Sequence, residues 1–261
     1  MSIFASTLLL FWRKRILVFV LLAVILSSVV AVIAQTLSID TSQKIMRDSL
    51  FSFQELVSTL IIVYFIVHDI PNHKRTKTLI ALRTRKASLT QFVLHQRGAY
   101  SVILVSFYCL FTLGIGGMML FSPSSVEPSQ RMLATLGSFL TSWTLMSAGL
   151  MLSTFMTPII TIFCVIALYM LGMAGQFLYR YTSQQGFGQF LDSLMMIIYY
   201  ITPPFAHSAR KEHILTPFLT ISSGEILLLL GEYILYQCLF VGVACVLINH
   251  QKNYDRREDQ R

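Results

Sequence analysis

Six apolar runs, each near 20 residues long, constrain this chain more than any other feature of its sequence. They cover residues 16–34, 50–67, 99–121, 132–155, 158–178 and 225–248. A helix needs about 20 apolar residues to cross the hydrocarbon core of a bilayer. Hydrophobic residues make up 55% of the 261 residues and charged residues 12%, about half the charged share of a soluble domain. The sequence therefore predicts one all-α integral membrane domain, residues 1–261, with six transmembrane helices.

The distribution of Lys and Arg predicts the orientation of these helices, because short cytoplasmic loops carry an excess of both. One side of the membrane receives 14 of the 20 basic residues, in segments 13–15, 74–97 and 252–261. The other side receives six. We therefore expect a multi-pass plasma-membrane protein with both termini in the cytoplasm. A bacterial inner membrane is the commonest setting for such a protein. The formal charge of +8 is then a topology signal, and no nucleic-acid partner is expected.

Two segments outside the six runs have their own patterns. Residues 1–15 place apolar side chains and Trp12 ahead of a basic triplet, as in a helix lying in the membrane plane. The external segment 179–224 contains an apolar stretch, 191–201, that is too short to span and stops before Pro203. This stretch predicts either a re-entrant segment packed among the helices or an interfacial helix among the headgroups. The sequence leaves both placements open.

The chemistry-bearing residues of the apolar runs are few. Glu55 and Glu232 lie in the predicted outer halves of the second and sixth spans, where a charge is expensive. They could line a translocation path or accept hydrogen bonds between helices.

No G-x-S-x-G, H-E-x-x-H or G-x-x-x-x-G-K-[ST] motif occurs. We therefore expect no catalytic, metal-binding or cofactor-binding residue. Four cysteines lie inside apolar runs without a C-x-x-C pair.

The predicted cytosolic loop 68–97 is the most informative stretch of the chain. It holds seven basic residues and a single acid, Asp69. Apolar residues recur through it at spacings close to helical, which predicts a short amphipathic helix. Such a helix could dock on a soluble partner, or it could rest on anionic lipid, which attracts basic residues.

The loop and the order of the other features resemble the permease subunit of type-2 ATP-binding-cassette exporters. Thr78, Leu79 and Leu82 stand where the cytosolic connection of that family has Thr-Leu and a later leucine. Residues 86–94 resemble the family's lead into its third span. Lys77 stands where the family has glycine. The resemblance extends over nearly the whole chain through the N-terminal interfacial helix, the six spans and the hydrophobic dip before the last span.

The resemblance implies a permease subunit of an ATP-driven exporter, which itself is not an enzyme and binds no cofactor. ATP with Mg would be bound by a separate cytosolic ATPase subunit, and a second permease chain, identical or related, would complete a dimer around the path in the lipid. The coupling residues implied are Asp69, Lys74, Arg75, Thr78, Leu79, Leu82 and Arg83. A secondary transporter and a non-transporting membrane scaffold stay open as alternatives.

Overall fold

The structure, a computed structural model, describes residues 42–64, 89–121, 128–185 and 223–258. It also describes single positions at 18, 22, 25, 26, 29, 30, 33, 36, 193, 196, 197, 202, 203 and 205. The four continuous stretches contain five helices and no strand, as the all-α prediction requires. These helices are α1 (Ser42–Tyr64), α2 (Leu89–Phe121), α3 (Pro128–Ser153), α4 (Pro158–Gln185) and α5 (Ser223–Glu258).

Helix α3 is the centre of the described bundle, because it packs against each of the other four helices. Ser138, Thr141, Ser142, Thr144 and Ser147 are all buried along it. Several of these hydroxyls donate to the carbonyl four residues earlier, for example Thr144 to Leu140 at 2.9 Å. Their polar atoms are thus satisfied within the helix. Small side chains of this kind let neighbouring helices approach closely.

The apolar core beside α3 is built mainly from aromatic side chains of α2. Phe107, Tyr108 and Phe111 are buried. The Phe107 and Tyr108 rings meet edge to face at 5.3 Å between centroids, and Tyr108 meets Phe139 of α3 in the same way at 5.5 Å. Edge-to-face pairs place the positive edge of one ring against the negative face of the next. This core fixes α2 against α3.

The junction between α3 and α4 falls between the predicted runs 132–155 and 158–178, at Thr157–Pro158. Helix α3 ends at Ser153, a turn follows in which Met156 donates its backbone N–H to Leu152 at 2.9 Å, and Pro158 opens α4. Proline suits the first turn of a helix because its missing N–H would have no partner there. The Thr157 carbonyl accepts the first hydrogen bond of α4, from the Thr161 N–H at 2.9 Å.

Two of the helices hold stretches long and apolar enough to cross a membrane, Val93–Gly114 in α2 and Ile226–Leu247 in α5. Two shorter apolar stretches are Phe51–Val63 in α1 and Pro158–Ala174 in α4. No more than 33% of either long stretch is buried, so large apolar side chains such as Leu113 and Leu228 face outward. This outward apolar surface favours a membrane location. The number of spans and their orientation stay predictions.

The helices extend beyond the apolar runs from which they were predicted. Helix α2 begins at Leu89 rather than near 99, α5 continues to Glu258 rather than ending near 248, α1 begins at Ser42 and α4 ends at Gln185. Hydropathy locates the apolar part of a helix, whereas backbone hydrogen bonding continues through polar turns at its ends. Residues 89–97, predicted as the end of the cytosolic loop, therefore form the first turns of α2.

The remaining predicted segments lie largely outside the described residues. Residues 1–15 and 68–88 are not described, and the first predicted span, 16–34, is described at seven positions. All seven are helical, and all seven are exposed.

Candidate functional site

Arg97, the basic residue of the predicted loop that the structure describes, lies inside the helix bundle. It lies eight residues after the start of α2, or about 12 Å along the helix axis. Its side chain is half-buried. Nη2 donates to Oε1 of Gln237 on α5 at 2.8 Å, and the guanidinium carbon lies 5.2 Å from the centre of the Trp143 ring on α3. The cation therefore belongs to the interior of the bundle.

Gln237 joins three helices around this cation. Its Oε1 accepts a hydrogen bond from Ser147 as well as from Arg97, and its Nε2 donates to Thr144 at 3.2 Å. The side chain is 2% exposed. All hydrogen-bonding atoms of the amide face polar partners, so the buried group is well satisfied.

Trp143 and Ser101 complete the arrangement. The indole Nε1 donates to the Ser101 hydroxyl at 2.8 Å, and that hydroxyl donates to the Arg97 carbonyl at 2.9 Å. We use the name arginine cluster for these residues together: Arg97, Ser101, Trp143, Thr144, Ser147 and Gln237. It ties α2, α3 and α5 together through polar contacts in an otherwise apolar region.

A second group of polar side chains lies about one and a half turns further along α3, toward its N-terminus. The Tyr108 hydroxyl donates to the Ser138 carbonyl at 2.9 Å and lies 2.8 Å from the Ser142 hydroxyl. Ser142 donates to Ser58 of α1 at 3.0 Å. The hydroxyls of Tyr233 and Thr141 are 3.0 Å apart. We use the name tyrosine cluster for Ser58, Tyr108, Ser138, Thr141, Ser142 and Tyr233.

Glu55, predicted as a residue of a translocation path, lies beside the tyrosine cluster. It is half-buried on α1, and a side-chain hydrogen bond joins it to Tyr169 of α4. It also lies within electrostatic reach of Tyr108 and Tyr233. Glu232, the other predicted path residue, is exposed on α5. The structure therefore brings one of the two acids to the interior of the bundle.

Gln54 is a buried polar residue that reasoning from the sequence missed. Its side chain is 0% exposed, and neither Oε1 nor Nε2 has a hydrogen-bond partner in the described structure. It precedes Glu55 and lies one helical turn from Ser58, so it borders the tyrosine cluster. Most buried amides have at least one partner. The available sequence signal was that glutamine is rare inside the apolar runs, where it occurs at 54, 176 and 237.

The segment after the short apolar stretch 191–201 is packed into the bundle. Thr202, Pro203 and Phe205 are buried, and the Thr202 carbonyl accepts a hydrogen bond from the Tyr236 hydroxyl at 3.2 Å. The Phe205 ring lies 6.1 Å from that of Tyr169. Tyr236 stands at the middle of the apolar stretch Ile226–Leu247. The described residues of the stretch itself, Ser193, Met196 and Ile197, are exposed. The packed residues are those that follow it, and the re-entrant and interfacial placements both stay open.

Gly172 of α4 makes this packing possible. A Cβ atom at Gly172 would overlap the Phe205 ring and would lie 2.9 Å from the Pro203 carbonyl oxygen. Only a glycine lets the backbone of the inserted segment approach α4 this closely. The neighbour that Gly172 admits is thus a segment outside the helices and not another helix.

The other predicted site residues lie elsewhere. The implied coupling residues, 69, 74, 75, 78, 79, 82 and 83, lie outside the described residues. The four cysteines are unpaired, and among the described residues no group of three His, Cys, Asp or Glu could hold a metal ion.

Comparison of the chain with protein-family models, with curated proteins and with solved structures returned no match.

Proposed function

We propose that this chain is the transmembrane permease subunit of an ATP-driven exporter, working with a separate cytosolic ATPase in a plasma membrane. The observation that carries the proposal is the insertion of Thr202, Pro203 and Phe205 beside the middle of α5. A short apolar stretch that dips among the helices just before the last one is a feature of the type-2 exporter permeases that the sequence resembles. The basic loop between the second and third predicted spans is another.

The polar interior of the bundle supports a transport role over a purely structural one. Hydroxyl and amide side chains of α1, α2, α3 and α5 meet in the tyrosine and arginine clusters. Interhelical hydrogen bonds of this type are individually worth about 0.6 kcal/mol in a membrane protein. Because each is weak, the helices can exchange partners as they shift. A translocation path for a substrate other than a lipid requires polar side chains between the helices whose hydrogen bonds can rearrange.

In this proposal the loop 68–97 transmits movement of the ATPase to the helices. Leu79 and Leu82 provide its apolar face, and Arg83 with the neighbouring cations provides charge for the motor subunit. The loop leads directly into α2, which carries Arg97 and Tyr108. A displacement of the loop would therefore reach both polar clusters through one helix. The path itself would lie between this chain and a second permease chain in the same membrane.

The test is purification of the tagged chain in a mild detergent, followed by mass spectrometry and an ATPase assay. We expect a stoichiometric partner with a phosphate-binding G-x-x-x-x-G-K-[ST] loop. The combined variant Leu79→Ala, Leu82→Ala, Arg83→Ala should lose that partner, because it removes both the apolar face and a cation of the loop.

The matched control is the combined variant Lys252→Ala, Arg256→Ala, Arg257→Ala, which removes three cations from the other predicted cytosolic segment. It should retain the partner. A chain that purifies alone and shows no ATPase activity would exclude the exporter proposal. The alternatives would then be a secondary transporter, supported by the buried polar clusters, or a non-transporting scaffold.

A further inference from the structure

Arg97 carries a positive charge that no described acidic residue neutralises. Its neighbours on the three helices that meet there are Ser101, Trp143, Ser147 and Gln237, all neutral. Nε is buried without a hydrogen-bond partner. Of the five N–H groups of the guanidinium, one is donated to a described residue. The side chain is thus positioned by the protein and largely unused as a donor.

Holding helices together does not require this charge. A neutral amide at position 97 could donate one hydrogen bond to Gln237 without bringing a charge into an apolar helix bundle. Ionised groups in such surroundings are expensive, and they mark ion or substrate sites more often than structural contacts. A cation that no described acidic residue pairs with therefore calls for an anion in this position.

The geometry selects the kind of anion. Trp143 lies against the guanidinium and Gln237 holds Nη2, so two contacts restrict the plane of the group. Nη1 makes no hydrogen bond to a described residue, and the side chain is only partly buried. A planar fork of N–H donors fits two oxygens of a phosphate or carboxylate at once. At a membrane surface the abundant oxyanions are lipid phosphates.

We propose that Arg97 is the anchor of a binding site for a phosphate-bearing anion, held between α2, α3 and α5. The phosphate belongs either to an anionic lipid headgroup or to a soluble molecule. Trp143 and Gln237 are positioning residues of this site, since they orient the guanidinium. The site rests on the contacts of the arginine cluster and does not depend on the proposed ATPase partner.

Trp143 provides a reporter for this site. The chain contains two tryptophans, Trp12 and Trp143, so the Trp12→Phe protein emits from Trp143 alone. This protein, purified in dodecyl maltoside, which contains no phosphate, is titrated with phosphatidylglycerol. A second titration uses inorganic phosphate at constant ionic strength, and a third uses chloride. We expect a saturable change of Trp143 emission with one of the two phosphate probes and none with chloride.

Three variants in the same background decide whether Arg97 is responsible. Arg97→Gln should weaken the response at least tenfold, because it removes the charge and keeps an amide donor. Arg97→Lys should weaken it severalfold, since Lys keeps the charge but loses the planar fork. Arg180→Gln, which removes one cation from α4, is the matched control and should leave the response unchanged. Circular dichroism checks that each variant is helical.

The outcomes distinguish the two possible sources of the bound phosphate from each other and from failure of the proposal. A response to phosphatidylglycerol alone supports a lipid headgroup, and a response to inorganic phosphate supports a soluble ligand. If Arg97→Gln does not fold, the comparison between Arg97→Lys and the parent carries the test. No response to either probe in the parent, or an equal response in every Arg97 variant that folds, overturns the site.

Discussion

At the scale of single residues, the interior of this bundle is defined by polar side chains that apolar helices carry inward. Gln237 is the clearest example, because its amide contacts Arg97, Thr144 and Ser147 on two other helices. Gln54 is the contrasting example, with a buried amide that has no described partner. One amide connects helices, and the other borders the tyrosine cluster next to Glu55.

Gln237→Leu should destabilise the bundle by about 1–3 kcal/mol, because it removes the hydrogen bonds that join Arg97, Thr144 and Ser147 to α5. The measurement is the midpoint of thermal unfolding in dodecyl maltoside. The matched control is Gln91→Leu, since Gln91 is exposed on α2 and its replacement should leave the midpoint nearly unchanged. Equal midpoints for the parent and Gln237→Leu would contradict the connecting role of this amide.

At the scale of elements, the inserted segment at 202–205 is held by α4 and α5. Gly172 admits the Phe205 ring and the Pro203 carbonyl, while Tyr236 holds the Thr202 carbonyl. These contacts explain why a short apolar stretch ends in a buried turn rather than in solvent.

Gly172→Val should displace this segment, because the added side chain would occupy the position of the Phe205 ring. In a cysteine-free background, Thr202→Cys reports the displacement through its rate of labelling by a maleimide. Thr202 is 7% exposed, so we expect slow labelling with Gly172 and labelling at least tenfold faster with Gly172→Val.

Gly242→Val is the matched control for this experiment. No atom lies within 4 Å of a Cβ built at Gly242, so the labelling rate of Thr202→Cys should stay low. Fast labelling in the Gly172 parent would show that the segment is not docked on α4.

The positions of the helices were predictable from the sequence where the local residue pattern determines them. They were less predictable where contacts between residues far apart in the chain determine them. Apolar runs located all five helices, and Thr157–Pro158 located the α3–α4 junction, because proline and hydropathy act locally. Arg97 was assigned to a loop since His95, Gln96 and Arg97 form a polar interruption. In the structure it is helical and hydrogen-bonded to Gln237, 140 residues later in the chain, a contact that no local pattern reveals.

The candidate site was predictable in part for the same reason. Glu55 was identified by the high cost of a charge in an apolar run, and the structure places it beside the tyrosines. The high frequency of Ser and Thr in residues 138–147 is evident from the sequence, but the sequence does not show which helices these residues contact. Only the packing of α3 against four helices makes those hydroxyls the centre of the molecule.

At the scale of the whole molecule, the described helices form one bundle around α3 with much of its apolar surface facing outward. The interior holds both an apolar core and a set of buried polar side chains, and many large apolar side chains are also exposed on the outside. Transport and coupling both depend on the proposed topology, in which this bundle spans a membrane with both termini and the loop 68–97 on the cytosolic side.

Cysteine labelling in intact cells tests this topology most directly. Single cysteines are placed by Ser2→Cys, Ser88→Cys, Ser125→Cys and Asn253→Cys in a chain whose four native cysteines are replaced. We expect a membrane-impermeant maleimide to label Ser125→Cys in intact cells and the other three only after permeabilisation. Labelling of Ser2→Cys and Asn253→Cys from opposite sides, or of Ser88→Cys from outside, would contradict the six-span topology.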